Sequence, residues 1–129
     1  MKVILHIGAH RCATRSFQKY MARKGDHLAQ YGLACMGPER TRTGFLHGIQ
    51  PGAAAVTGRD LMKRAQGRIS LHLGALQQAG TAAVVISDAN MLGPLEQTLS
   101  LGQLYPGAGE HLSRLDHAFS GKITDVMLN

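Results

Sequence analysis

Large aromatic residues, cysteines and long apolar runs are all scarce in this sequence. It has no tryptophan, three phenylalanines and three tyrosines, so aliphatic residues and methionine must form most of the core. Its two cysteines, Cys12 and Cys35, are too few for a disulfide framework, and we expect both to be reduced. No segment approaches the roughly 20 apolar residues that span a bilayer. The apolar run before Gly8 is also too short for a secretory signal. These absences predict a cytoplasmic protein with no membrane partner.

Acidic residues are outnumbered, with 8 against 14 lysines and arginines, which gives a formal charge of +6. The basic residues form no long run, and no RNA- or DNA-reading motif accompanies them. The charge distribution fits an acidic small-molecule ligand as well as a polyanion. Because no nucleic-acid-reading motif is present, we expect no nucleic-acid partner. The length of 129 residues predicts a single domain, 1–129.

The N-terminal half of the chain predicts a strand, a helix and a long loop. The apolar run at 3–7 predicts a strand that breaks at Gly8. Apolar residues then recur at three- and four-residue steps, which predicts one amphipathic helix from about 14 to 31. Residues 33–36 predict a short extended piece. The stretch 39–58, rich in Gly, Thr, Pro and Arg, predicts a long loop.

The C-terminal half predicts two helices, a partly helical stretch and two strands. A helix is expected at 59–78, and the continuous apolar run at 82–86 is typical of a strand buried on both faces. A partly helical stretch is expected at 92–104. The pattern at 110–119 predicts a further helix, and 123–128 predicts one more core strand.

This order of elements is typical of a three-layer α/β domain with a small parallel sheet of three strands. Ligands bind such sheets at the carboxyl ends of the strands. Segments 8–16 and 87–90 each follow a strand, so we expect them at the same edge of the sheet. A small sheet that ends on a core strand needs cover at its edges. The chain is therefore either a compact small fold or the N-terminal portion of a longer one.

The segment 2–18, KVILHIGAHRCATRSFQ, combines a strand, a turn and the start of a helix. Backbone N–H groups at the first turn of a helix are unpaired, and the helix dipole favours negative charge there. Arg11 and Arg15 flank the turn and can grip phosphate or sulfate oxygens through paired hydrogen bonds. The segment therefore predicts an anion-binding loop.

Two well-known phosphate loops do not match this segment. In the pattern GxxxxGK[ST] counted from Gly8, Ala13 takes the place of the second glycine and Thr14 that of the lysine. A cysteine phosphatase loop needs an arginine six residues after its cysteine, and Gln18 holds that place after Cys12. A nucleotide kinase relative is therefore a weaker hypothesis.

The segment from His6 to Gln18, HIGAHRCATRSFQ, resembles the loop HIGxPKTGTTSLQ of the sulfotransferase family. That loop binds the 5′-phosphosulfate end of 3′-phosphoadenosine 5′-phosphosulfate, which is the sulfuryl donor. The resemblance implies that Arg11, which replaces the family's lysine, contacts the 5′-phosphate and the bridging oxygen. The full set of donor-binding residues that it implies is Gly8, Arg11, Cys12, Ala13, Thr14, Arg15 and Ser16.

Three residues of the loop depart from the family pattern. Ala13 replaces a glycine, which matters if that position needs a positive φ. Arg15 replaces the second threonine, and His10 replaces a proline. None of these changes removes positive charge, so anion binding is expected to persist.

The strand at 82–86 leads into a second stretch that resembles bacterial members of the family. Those members carry a glutamate that is a candidate base for the acceptor, and here Ala89 stands in its place. Asp88 is adjacent and is our candidate catalytic carboxylate, although capping a turn after the strand is an equally reasonable role for it. The family's arginine–serine pattern for the 3′-phosphate does not follow 123–128, so we expect a truncated sulfotransferase-like domain.

The histidines suggest one more candidate and no metal site. His47 lies in the predicted long loop and could bind the acceptor or act as a base, since imidazole titrates near neutral pH. A hydrogen bond that anchors the loop is the alternative. His111 and His117 fall on different faces of a helix, and no cysteine or carboxylate completes a zinc set.

The resemblance implies transfer of a sulfuryl group from 3′-phosphoadenosine 5′-phosphosulfate to a hydroxyl or amine of a small-molecule or glycan acceptor. The predicted catalytic residues are Arg11, His47 and Asp88, with no metal. The alternative is a non-catalytic remnant of the fold that binds nucleotides or other anions, which Ala89 and the missing 3′-phosphate pattern favour.

Overall fold

A computed structural model describes residues 1–8, 12–49 and 60–128. Four strands form one sheet: β1 Lys2–Ile7, β2 Leu33–Met36, β3 Ala83–Ser87 and β4 Asp125–Leu128. The α-helices are α1 Thr14–Arg23, α2 Gly25–Ala29, α3 Pro38–Arg40, α4 Leu61–Gln78, α5 Leu95–Leu101 and α6 Ala108–Phe119. A π-type turn spans Thr41–Phe45, and a 3₁₀ turn spans Ala89–Leu92.

All strand pairs in the sheet are parallel, and their order is β2-β3-β1-β4. The predicted α/β class and the parallel sheet are therefore confirmed. The expectation of three strands is wrong, because Leu33–Met36 is a full strand that pairs with β3. This pairing covers the apolar β3 on its outer side, so that β3 lies in the interior of the sheet.

The main core lies between one face of the sheet and the helices α4 and α6. Side chains alternate along a strand, so the odd residues of β1 point to the same face as Val84 and Ile86 of β3. They pack with the buried faces of α4 and α6 in one cluster that includes Val3, Leu5, Ile7, Ala65, Ile69, Leu73, Leu115, Ala118 and Phe119. The helix predicted at 59–78 is confirmed as α4.

Helix α1 packs on the opposite face of the sheet. His6 alternates with Leu5 and Ile7, and its ring contacts Phe17 of α1 at a centroid distance of 4.4 Å. The single helix expected from 14 to 31 is wrong, since α1 ends at Arg23 and α2 begins at Gly25. Lys24, between them, leaves the helical conformation with ψ 9°.

The predicted loop at 39–58 is wrong for 39–45, because the end of α3 and the π-type turn fall there, whereas 46–49 is non-helical as predicted. The turn is ordered by side-chain bonds to Asp88, which sequence periodicity does not reveal. Residues 50–59 lie outside the described part of the chain.

Strand β4 is exposed rather than part of the core, contrary to expectation. It is the edge strand beside β1, and Val126, Met127 and Leu128 are 51%, 46% and 72% exposed. The apolar sequence alone could not show this, because exposure depends on what packs over the strand. Within the described ranges, no helix is both long and apolar enough to cross a membrane.

Candidate functional site

The carboxyl ends of β1 and β3 meet at the centre of the sheet edge, where His6 lies opposite Ser87. The chain leaves β1 toward β2 on one side and leaves β3 toward β4 on the other. Neighbouring strands whose connections run in opposite directions create a crevice at which α/β proteins bind ligands. The segments after β1 and β3 therefore share one edge, as their positions in the sequence predict.

Gly8 and Thr14 are in direct contact where β1 ends and α1 begins. A Cβ atom on Gly8 would lie 1.8 Å from Oγ1 of Thr14, so only glycine fits at this position. The Thr14 side chain is buried at 5% exposure. Its Oγ1 has no hydrogen-bond partner among the described residues. A buried hydroxyl without a partner is costly to a fold, and a ligand oxygen at this position would satisfy it.

Ala13 precedes α1 in the left-handed conformation, with φ 56° and ψ 9°. This is the position at which the resembled family carries glycine, and it does require a positive φ. An alanine side chain costs roughly 1 kcal/mol in this conformation. Ala13 thus adopts a glycine-like backbone conformation in spite of the substitution.

The first turn of α1 presents unpaired amides. The carbonyl of Ala13 accepts hydrogen bonds from the amides of Ser16 at 2.9 Å and Phe17 at 3.1 Å. The amides of Ala13, Thr14 and Arg15 have no partner among the described residues. The first turn also contains no acidic residue, so nothing within it offsets the positive end of the helix dipole.

The remaining predicted donor-binding residues lie around this turn. Cys12, Arg15 and Ser16 are exposed, and neither described cysteine forms a disulfide. The Ser16 amide is already bonded within the helix, which leaves its hydroxyl as the group facing outward. Arg11, our leading catalytic candidate, lies outside the described residues, together with 9 and 10.

A buried polar network links α1 to both central strands. Nδ1 of His6 lies 2.7 Å from Oγ of Ser87, and Nε2 of Gln18 donates to the same Oγ at 3.0 Å. His6 and Ser87 are 2% and 4% exposed. Sequence analysis missed this network, although His6 and Gln18 both lie within the segment that carries the resemblance. The network fixes the direction in which α1 leaves the sheet.

Asp88 is buried at 3% exposure and is held by several donors. Arg42 donates to both carboxylate oxygens, with its shortest bond, from Nη2 to Oδ1, at 2.6 Å. The Thr41 hydroxyl donates to Oδ2 at 2.7 Å, and the backbone amide of Asn90 donates to Oδ1 at 3.0 Å. The hydrogen bond to Asp88 also raises the pKa of the Arg42 guanidinium. Asp88 therefore caps the 3₁₀ turn and anchors the π-type turn to the sheet.

A cavity of about 350 Å³ lies beside Asp88 at the same edge. His47, our other catalytic candidate, is exposed and lines this cavity together with Asp88. The His47 carbonyl accepts a 2.7 Å hydrogen bond from Arg68 of α4, which anchors this segment. The cavity thus brings His47 and Asp88 together.

His111 of α6 also lines the cavity. The sequence predicted no functional role for this residue. Its side chain is 7% exposed, and neither ring nitrogen has a hydrogen-bond partner among the described residues. Burial lowers the pKa of His111, an effect that Glu110 opposes and Arg114 reinforces. The imidazole is therefore favoured in its neutral form.

Comparison with known proteins gives no relative for this chain. No family model, no curated protein and no solved structure matches it. Within residues 1–8, 12–49 and 60–128, no group of three or more His, Cys, Asp or Glu side chains could hold a metal ion. The geometry at the sheet edge is therefore the basis for a functional proposal.

Proposed function

We propose that the protein is a sulfotransferase-like domain that binds 3′-phosphoadenosine 5′-phosphosulfate at the start of α1. The observation that supports the proposal is the buried hydroxyl of Thr14 beside three amides, none of which has a partner among the described residues. A site of this kind suits a tetrahedral oxyanion, which accepts several hydrogen bonds at once. Arg11 would add a charged donor next to this turn.

The proposed reaction needs charge stabilisation and alignment more than a covalent intermediate. An acceptor oxygen or nitrogen forms a bond to sulfur as the bond between sulfur and the bridging oxygen breaks, and adenosine 3′,5′-bisphosphate leaves. Negative charge grows on the bridging oxygen, where amide donors and Arg11 would stabilise it. The proton of the acceptor passes to a base, for which His47 is a candidate.

A second candidate function is non-catalytic binding of nucleotides or other anions by the same loop. Asp88 favours this alternative, because its carboxylate is already engaged by Arg42, Thr41 and Asn90. These donors occupy the lone pairs of the carboxylate, so its oxygens are not free to contact an acceptor hydroxyl. Ala89 offers no replacement.

Calorimetric titration with adenosine 3′,5′-bisphosphate tests the binding step. We expect Arg11→Ala to weaken binding by about tenfold or more, because a charge-assisted hydrogen bond contributes about 1.5–3 kcal/mol. Arg23→Ala, at the opposite end of α1, removes the same charge and should leave the affinity nearly unchanged.

The two candidate functions predict different results. Binding of the bisphosphate that exceeds binding of inorganic phosphate or sulfate, followed by transfer of labelled sulfate to an acceptor, supports the transferase. Equal, weak binding of every anion, without transfer, supports the non-catalytic alternative. Equal losses in Arg11→Ala and Arg23→Ala would contradict both, because the anion would then respond only to net charge.

A further inference from the structure

The cavity beside Asp88 has mostly apolar walls. Leu46, Ile49, Met91 and Leu115 contribute aliphatic and thioether surface from three segments of the fold. At about 350 Å³, the cavity lies at the small end of the usual range for ligand sites. Its size and lining suit a small ligand with an apolar body.

The charged groups at the cavity offset one another. Arg42 and Asp88 form a bidentate ion pair, and the carboxylate is fully engaged. A negatively charged ligand would have to approach this carboxylate, and a positively charged one would meet the Arg42 guanidinium. The cavity therefore favours a neutral ligand.

His111 lines this cavity, and its ring nitrogens form no hydrogen bond to another described residue. Its ring is held closely by glycines, since a Cβ on Gly107 would lie 3.2 Å from Cδ2 and one on Gly93 would lie 3.4 Å from Nε2. Gly93 also has φ 115°, a conformation that side chains rarely adopt. The imidazole is thus fixed in place while its nitrogens remain available.

We propose that this cavity binds a small neutral alcohol or phenol whose hydroxyl pairs with the His111 imidazole. A neutral imidazole has one donor and one acceptor nitrogen, and a hydroxyl can both donate and accept, so either tautomer is satisfied. The apolar body of the ligand packs against Leu46, Ile49, Met91 and Leu115. This proposal does not rest on sulfuryl transfer or on the anion-binding loop.

A pair of nearly isosteric probes tests the role of the hydroxyl. p-Cresol and p-xylene differ only by a hydroxyl in place of a methyl group. Each is titrated into the full chain without nucleotide, while NMR follows the ring signals of His111 and the methyl signal of Met91. We expect p-cresol to bind about fivefold more tightly, which corresponds to one net hydrogen bond.

Substitutions at two histidines separate recognition from packing. His111→Phe should abolish the preference for p-cresol, and His111→Gln, which keeps a donor and an acceptor, should restore part of it. His72→Phe is the matched control, because His72 contacts Phe45 and does not line the cavity. It should keep the full preference.

Three results would overturn the proposal: no saturable binding of p-cresol, equal binding of the two probes, or a preference that survives His111→Phe. If His111→Phe does not fold, the probe pair on the unaltered protein and on His111→Gln still decides. Because no nucleotide is present, these results are independent of whether adenosine 3′,5′-bisphosphate binds.

Discussion

The two segments at the carboxyl edge of the sheet use their polar groups in opposite ways. After β1, the start of α1 has three unpaired amides and the unpartnered hydroxyl of Thr14 among the described residues. After β3, the carboxylate of Asp88 is engaged by Arg42, Thr41 and Asn90. One side of the edge therefore has polar groups without partners among the described residues, whereas the other uses its polar groups to stabilise the fold.

The largest expected effect is on the Asp88 side. Asp88→Ala leaves Arg42, Thr41 and the Asn90 amide without their acceptor, so we expect the free energy of unfolding to fall by about 3 kcal/mol. Urea denaturation measures this change. Asp26→Ala, an exposed carboxylate on α2, should change it by less than about 1 kcal/mol. Similar losses in both variants would mean that the Asp88 bonds do not hold this edge together.

The two threonines of the edge should respond in opposite directions to the same substitution. Thr41→Val loses its bond to Asp88 and should lower the free energy of unfolding by about 1–2 kcal/mol. Thr14→Val removes an unsatisfied hydroxyl and should leave stability unchanged or raise it by about 1 kcal/mol. The same variant should weaken binding of adenosine 3′,5′-bisphosphate about fivefold. Destabilisation of both proteins to the same extent would show that the Thr14 hydroxyl has a protein partner.

Backbone conformation at the start of α1 gives a smaller, paired prediction. Ala13→Gly relieves the left-handed strain and should raise the free energy of unfolding by about 1 kcal/mol. Ala22→Gly, inside the same helix, should lower it by about 1 kcal/mol. Thermal denaturation compares them directly. A loss of stability in Ala13→Gly would contradict the left-handed assignment.

The smallest effect concerns pH. The pKa values of His111 and His72 are lowered in the folded protein, with burial as the main cause for both. The unfolded chain therefore binds more protons as the pH falls through the unperturbed value of about 6.5. The stability that the neutral imidazoles contribute is fully present above that pH and declines below it, until the pH has fallen through the lowered pKa values of the folded protein. Denaturation curves from pH 8 to about 5 test this, and His111→Gln with His72→Gln should flatten the decline.

Local patterns in the sequence predicted most elements of the fold. The strands at 3–7 and 82–86 could be assigned from their apolar runs. The helix at 59–78 could be assigned because its apolar residues recur at a helical spacing. The break at Lys24, the turn at Thr41–Phe45 and the exposure of β4 could not, since each depends on contacts between distant parts of the chain.

The candidate site was predictable only in part, for the same reason. The segment around Gly8 and Thr14 has a local strand–turn–helix pattern, so its unpaired donors could be anticipated. The pairing of Arg42 with Asp88 spans 46 residues, and His111 meets the cavity only after α6 packs. No spacing in the sequence distinguishes an Arg42 that pairs with Asp88 from an arginine on a solvated surface.

The missing side chain at Gly8 has a further consequence for ligand capture. Because the Thr14 side chain rests directly on the Gly8 backbone at the end of β1, only a glycine allows the helix to approach the strand this closely. The first turn of α1 is thus preorganised, and the proposed oxyanion ligand would not have to order it. Such rigidity preserves affinity that a mobile loop would lose to conformational entropy.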